Sequence, residues 1–181
     1  MSNALKLGHY LQTNLTFFHI NQNNMDHFIG TEPSELEACN YYKERVEGEV
    51  EDIYGTTVII DKAGLYFLYK DEDSETDHRQ AARQSGNYQM HRGKRLPWIR
   101  PTIQQTNCVL WGRRQGKDYR IYAACIITPY EGGEAKDHFF IVTRRGKGEP
   151  FRFVTAYHIK DYKEFLKKLE RYKPLKSFGS K

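Results

Sequence analysis

The sequence predicts an α+β fold: a C-terminal antiparallel four-stranded sheet with flanking helices, preceded by a small acidic α+β region. Three observations predict it. Runs rich in β-branched and aromatic residues recur between glycine- and proline-bearing turns, as strands do. Two other segments carry helix-start signatures followed by apolar residues at helical spacing. The later strand runs follow one another with only turns between them, the order of an antiparallel meander with one helix-covered face.

In the N-terminal half, residues 13–20 (TNLTFFHI) read as a strand, broken by the polar residues 21–24. Ser34 and Glu37 form a capping-box pair after Pro33, which predicts a helix from Ser34 to about Val50. Residues 56–60 (TTVII) and 65–69 (LYFLY) read as two strands of a hairpin. Asp61 to Gly64 turn between them, with Gly64 free to take a positive φ. Residues 71–77 (DEDSETD) are acidic and apolar-free, the best linker in the chain. They divide it into an acidic region, 1–77, and a basic domain, 78–181.

In the second half, strands are expected at 108–111, 119–127, 138–143 and 151–157. Loops separate them at 128–133 and at the basic, glycine-rich 144–150. Residues 91–101 (HRGKRLPWIRP) read as an extended basic loop stiffened by two prolines. Asp161 can cap a closing helix that runs to Tyr172, with Tyr162, Phe165, Leu166 and Leu169 on one stripe.

Charge is the most informative compositional feature. Residues 1–77 hold five Lys/Arg and 15 Asp/Glu, a balance of −10, whereas residues 78–181 hold 23 and 8, a balance of +15. A swing of this size points to nucleic-acid contact by the basic half, where cations alternate with aromatics. It also suggests that the acidic half dampens the basic one. No apolar run approaches the ~20 residues of a membrane span. Three distant cysteines without a Cys-x-x-Cys pair predict neither a disulfide framework nor a cysteine zinc site. With no secretory leader, the expected compartment is a reducing cytoplasm. Zinc-protease, Walker, dinucleotide and nucleophile-elbow motifs are missing, and the seven histidines lack metal-ligand spacing. No cofactor is expected.

Two clusters could carry chemistry. In the first, His91, Arg92, Lys94, Arg95 and Arg100 surround Trp98. Guanidinium groups fork onto phosphate oxygens, and an indole can stack a base. In the second, alternation along residues 151–158 puts Phe153, Thr155 and Tyr157 on one face, and Arg152, Val154, Ala156 and His158 on the other. That would present a hydroxyl and a phenol beside Arg144 and Arg145.

Residues 98–103 (WIRPTI), Trp111, residues 139–142 (FFIV), residues 153–157 (FVTAY) and a closing helix resemble, in that order, the phage-associated nucleases of the barnase–EndoU–colicin–RelE-like superfamily. The resemblance covers roughly residues 85–175. Its most specific piece is the Thr-x-Tyr of Thr155 and Tyr157. It implies a metal-independent endoribonuclease of toxin or phage polyvalent-protein type. RNA is then the substrate, and an inhibitor or immunity protein a partner. The catalytic residues would be His91, Thr155, Tyr157 and His158. Arg95 and Arg100 would hold the phosphate, and Trp98 or Tyr157 would stack a base. The catalytic histidine pair of EndoU proteins does not map onto His91, His138 and His158. The rival readings are a non-catalytic RNA- or DNA-binding module using the same basic aromatic face, and an adaptor whose acidic half docks on a second copy.

Overall fold

Alternating aromatic and β-branched residues make four long strands, and the rest of the chain is arranged on them. The computed structural model describes residues 3–19, 32–69 and 87–175. The strands there are β1 (Thr16–His19), β2 (Gly48–Glu51), β3 (Thr57–Ile60), β4 (Cys108–Arg114), β5 (Lys117–Tyr130), β6 (Gly133–Arg145), β7 (Phe151–Ile159) and β8 (Lys173–Pro174). They form one sheet in the order β2-β3-β7-β6-β5-β4-β8. Strands β4 to β7 are the expected antiparallel meander. The expected loop 128–133 is mostly strand, because Gly132 and Gly133, at φ 102° and 156°, let β5 and β6 turn within two residues.

Helices cover both faces of the sheet, not one. On the first face lie α2 (Glu35–Tyr41), α3 (Met90–Gly93) and α4 (Ile99–Gln105), with a π-helical turn (Tyr42–Val46) and two 3-10 helices (Lys62–Leu68 and Leu96–Trp98). Tyr42, Leu68, Ile99 and Ile103 pack there onto Tyr122, Phe139 and Ile141. On the second face lie α1 (Asn3–Asn14) and α5 (Tyr162–Leu169), with Leu7, Leu11, Phe165 and Leu169 against Phe140 and Ile121.

Several local expectations are corrected. The helix from Ser34 has its capping box, Glu37 N–H donating to Ser34 Oγ at 3.3 Å and Ser34 N–H to Glu37 at 2.8 Å. It gives way to the π-helical turn after Tyr41. Gly48, at φ 123°, then redirects the chain into a strand. The hairpin partner of β3 is therefore β2, not residues 65–69. Residues 62–68 are a 3-10 helix because the Asp61 carboxylate accepts from the Ala63 and Gly64 amides. Gly64 sits there for space rather than for a positive φ: an added Cβ would lie 2.3 Å from Tyr42 Oη and 2.6 Å from Phe153. Residues 91–101 are helical rather than extended. Pro97 opens the second 3-10 helix and Pro101 lies in the first turn of α4, where a missing amide costs nothing. Helix α1 had no counterpart in the sequence reading, and the strand of residues 13–20 shortens to β1. The closing helix is capped as expected, Glu164 N–H donating to Asp161 at 2.7 Å. It ends at Leu169, and Pro174 pairs in β8.

The division at residue 77 does not appear in the sheet. From the acidic half, β3 runs parallel to β7 and β1 runs parallel to β5. Strand β5 offers one edge first to β4, along residues 117–123, and then to β1, along residues 124–127. Thr106 seals that seam: its hydroxyl donates to Ala123 O at 2.5 Å, accepts from the Cys108 amide at 3.1 Å and lies 3.3 Å from Thr16 Oγ1. The acidic linker 71–77 and residues 78–86 lie outside the described residues. No helix among the described residues is long and apolar enough to cross a membrane.

Candidate active site

Strand β7 changes which face its residues occupy part-way along. The pairing is regular from Ile159 to Thr155 opposite Val142, then shifts so that Phe153 opposes Thr143. Val154 is the extra residue of a β-bulge, and a one-residue insertion inverts the alternation beyond it. Ala156 and His158 therefore share the first face with Phe153, opposite Ile141 and Phe139. Thr155 and Tyr157 take the second face, beside Val142 and Phe140.

The bulge separates two residues from the expected site. Thr155 is buried on the face that α1 and α5 cover, and the Tyr157 ring stacks on Phe140 at 4.9 Å. Neither converges with His91, so their assignment as catalytic partners of His91 is corrected. His138 is wedged between Tyr162 and Phe165, 5.1 Å from each ring.

On the first face a different group assembles. His158 Nε2 lies 2.5 Å from Asp137 Oδ1. Asp137 is two residues before Phe139, the residue opposite His158, so the two are diagonal cross-strand neighbours. Arg95 reaches the same place from the turn after α3. Its Nη2 is 3.5 Å from His158 Nε2, and its guanidinium lies 5.6 Å from the Trp98 ring. It also donates to the carbonyl of His91, one turn earlier, and its Nε is buried with no hydrogen-bond partner. Trp98 braces the group from beneath. It is 7% exposed and meets Phe139 edge-on at 5.4 Å, so it is a core plug and not a stacking platform for a base.

Two other predicted cations are occupied by backbone. Arg100 donates to the carbonyls of Val46, Glu47 and Glu49 at 3.2, 3.4 and 2.8 Å, where the π-helical turn leaves acceptors open. Arg92 donates to the Phe67 and Tyr69 carbonyls at 2.6 and 2.8 Å, closing the first 3-10 helix. Lys94 is half-buried beside Arg95 in sequence. Arg144 and Arg145 stand at the far end of β6, about 25 Å from Asp137 at the rise of a strand.

The hydrogen bond from His158 is the main cause holding the Asp137 carboxyl below its ordinary value, with Arg95 and Lys160 adding to it against the effect of burial. A 2.5 Å contact to a carboxylate makes Nε2 the donor, which leaves Nδ1 as the nitrogen that can exchange a proton. Burial, then the charges of Arg95 and Arg92, push His91 below the ordinary histidine range. Asp137 escaped the sequence reading because only the register of β6 against β7 brings it to His158.

No family model, curated protein or solved structure matches the chain.

His158, Asp137 and Arg95 thus gather on the first face, next to the turn that carries His91. Among the described residues, no three His, Cys, Asp or Glu side chains gather as a metal site.

Proposed function

We propose that the protein is a metal-independent endoribonuclease that cleaves RNA by attack of the 2′-OH. The observation that carries this reading is the His158–Asp137 pair at 2.5 Å with Arg95 beside it, Arg95 being bonded in turn to the His91 carbonyl. Cleavage needs a base at the 2′-OH, an acid at the 5′-oxygen and a fixed cation for the charge on the phosphorane. His91, its pKa lowered by partial burial and by its cationic neighbours, takes the 2′-OH proton. His158, in its imidazolium form with Nε2–H on the Asp137 carboxylate, delivers its Nδ1 proton to the leaving oxygen. Arg95, whose Nη2 lies 3.5 Å from His158 Nε2, supplies the fixed positive charge for the phosphorane. The resemblance to barnase–EndoU–colicin–RelE-like nucleases supports this reading through the antiparallel meander and its closing helix. The Thr-x-Tyr element takes no part in it.

The test is incubation with total RNA in EDTA. Shortened RNA is the expected result, and His91→Ala or His158→Ala should each lower the rate about 10²- to 10⁴-fold with the cooperative melting transition retained, the His158 variant melting lower because Asp137 loses its partner. RNA that is shifted but intact would replace the nuclease with a binding module. Neither effect, with a size that depends on concentration, would favour the adaptor.

A further inference from the structure

At the other end of the first face a cleft of about 720 Å³ opens between the β2–β3 turn and the ends of β4 to β7. Its volume is that of a small-ligand site. Tyr54 and Trp111, 38% and 41% exposed, stand at its rim with Ile53. Scattered exposed apolar side chains are ordinary, but three lining one cleft are not.

Tyr54 is held in place. Its amide donates to Asp52 Oδ1 at 2.9 Å, and its ring lies 5.7 Å from the Arg120 guanidinium. Arg120 is itself buried and paired with Asp52 at 3.2 Å, so the floor of the cleft is rigid and its charge compensated. Uncompensated charge lies at the edge. The β4–β5 and β6–β7 turns are adjacent because β5 pairs with both β4 and β6. Residues 113–118 and 144–149 together carry six Arg/Lys against Asp118 and Glu149. Asp118 is shared by Arg113 at 3.1 Å and Arg145 at 3.3 Å, one carboxylate for two guanidiniums.

We propose that this cleft binds an unpaired nucleobase of single-stranded RNA between Tyr54 and Trp111, with the flanking phosphates on the two basic turns. Aromatic rings accept any base face, and cations at the rim match the backbone charge. An apolar peptide would make no use of the six cations, and a duplex hides its bases in the stack. The inference deepens the nuclease reading by naming a strand-holding subsite. It lies about 25 Å from His158, by the rise of β7, and its test is binding rather than cleavage.

The chain has two tryptophans, and Trp98 is buried, so a contact quench of intrinsic fluorescence reports on Trp111. A 2′-O-methyl RNA of about eight nucleotides fits the usual site size and lacks the nucleophile, so it reports binding whether or not the protein cuts RNA. Added to the full chain, it should quench the emission, with affinity falling steeply as salt rises. Trp111→Ala and Tyr54→Ala should each weaken binding about tenfold to a hundredfold, measured by anisotropy of a labelled oligonucleotide. Lys117→Glu with Lys147→Glu, both in exposed turns, should weaken it too and flatten the salt dependence. Binding without a quench, equal binding of a duplex of the same length, or an unchanged affinity in the Trp111 variant would overturn the proposal. Quenching by poly-glutamate but not by RNA would assign the cleft to an acidic protein instead.

Discussion

His158 and Asp137 are each about one-sixth exposed, so their contact is shielded from water without being sealed from a substrate. In the proposed mechanism Asp137 acts through His158, as a positioning residue. Asp137→Asn keeps the shape but removes the charge that holds the ring. Cleavage should fall by about one to two orders of magnitude with KM little changed, and the acid limb of the pH–rate profile should move. A stability change alone would mean a merely structural pair. The same group sets an acid response. Asp137 has a depressed folded-state value, so it stabilises the protein above the unfolded carboxylate value of about 3.9, and this is lost as pH falls through the folded value. His91 is depressed as well, so its contribution is complete above its ordinary 6.5 and is lost as pH falls from there through its folded value. Melting temperature should therefore drop first as pH falls below about 6.5, and again near the bottom of the carboxylate range. His91→Gln should remove the first step and Asp137→Asn the second.

At the scale of elements, side chains that reach across secondary structure decide where turns and helices settle. Asp52 ties the β2–β3 turn to β5. It accepts from the Tyr54 and Thr56 amides at 2.9 Å, from Tyr122 Oη at 2.9 Å, and pairs with Arg120. Removing it leaves Arg120 buried and uncompensated. Asp52→Ala should cost about 3–5 kcal/mol in urea unfolding, with RNA binding at the Tyr54 cleft weakened even below the transition. Gly64 is the other such position. A methyl there meets Tyr42 and Phe153, so Gly64→Ala should cost about 1–3 kcal/mol by calorimetry, although alanine favours helix more than glycine does. A neutral or stabilising result would mean that the 3-10 helix can move away from β7.

Across the whole molecule, the acidic and basic halves share one sheet and one core. Val46, Val50, Val58, Leu65 and Leu68 come from residues before 77, and they pack with Ile99, Tyr122 and Phe139 from after it. A fragment of residues 78–181 loses β1 and β3, which exposes edges of β5 and β7, and it uncovers much of the first face. It should unfold without a cooperative transition and bind a hydrophobic dye, rather than act as a freed nuclease. A sharp melting transition in that fragment would show that the N-terminal strands are accessory. The charge swing therefore describes the surfaces of one body, with the six cations of the two basic turns gathered at one end of it.

What could be read from residues alone was local. The capping box at Ser34, the Asp161 cap and the four meander strands each depend on neighbours within a few positions, and each stands where expected. Residues 65–69 were misread because a short apolar run has the same composition as a strand or as a buried helix, and the Asp61 cap favoured the helix. His91, Arg95 and His158 could each be singled out from the sequence, but the contact of Arg95 and Asp137 with His158 could not. Period-two alternation paired Thr155 with Phe153, and one bulged residue, Val154, undid it. Asp137 meets His158, and Tyr54 meets the Arg145 cleft, only through strand register and through the packing of a turn some ninety residues away. Register is chosen by the whole buried face at once, so no window of sequence contains it.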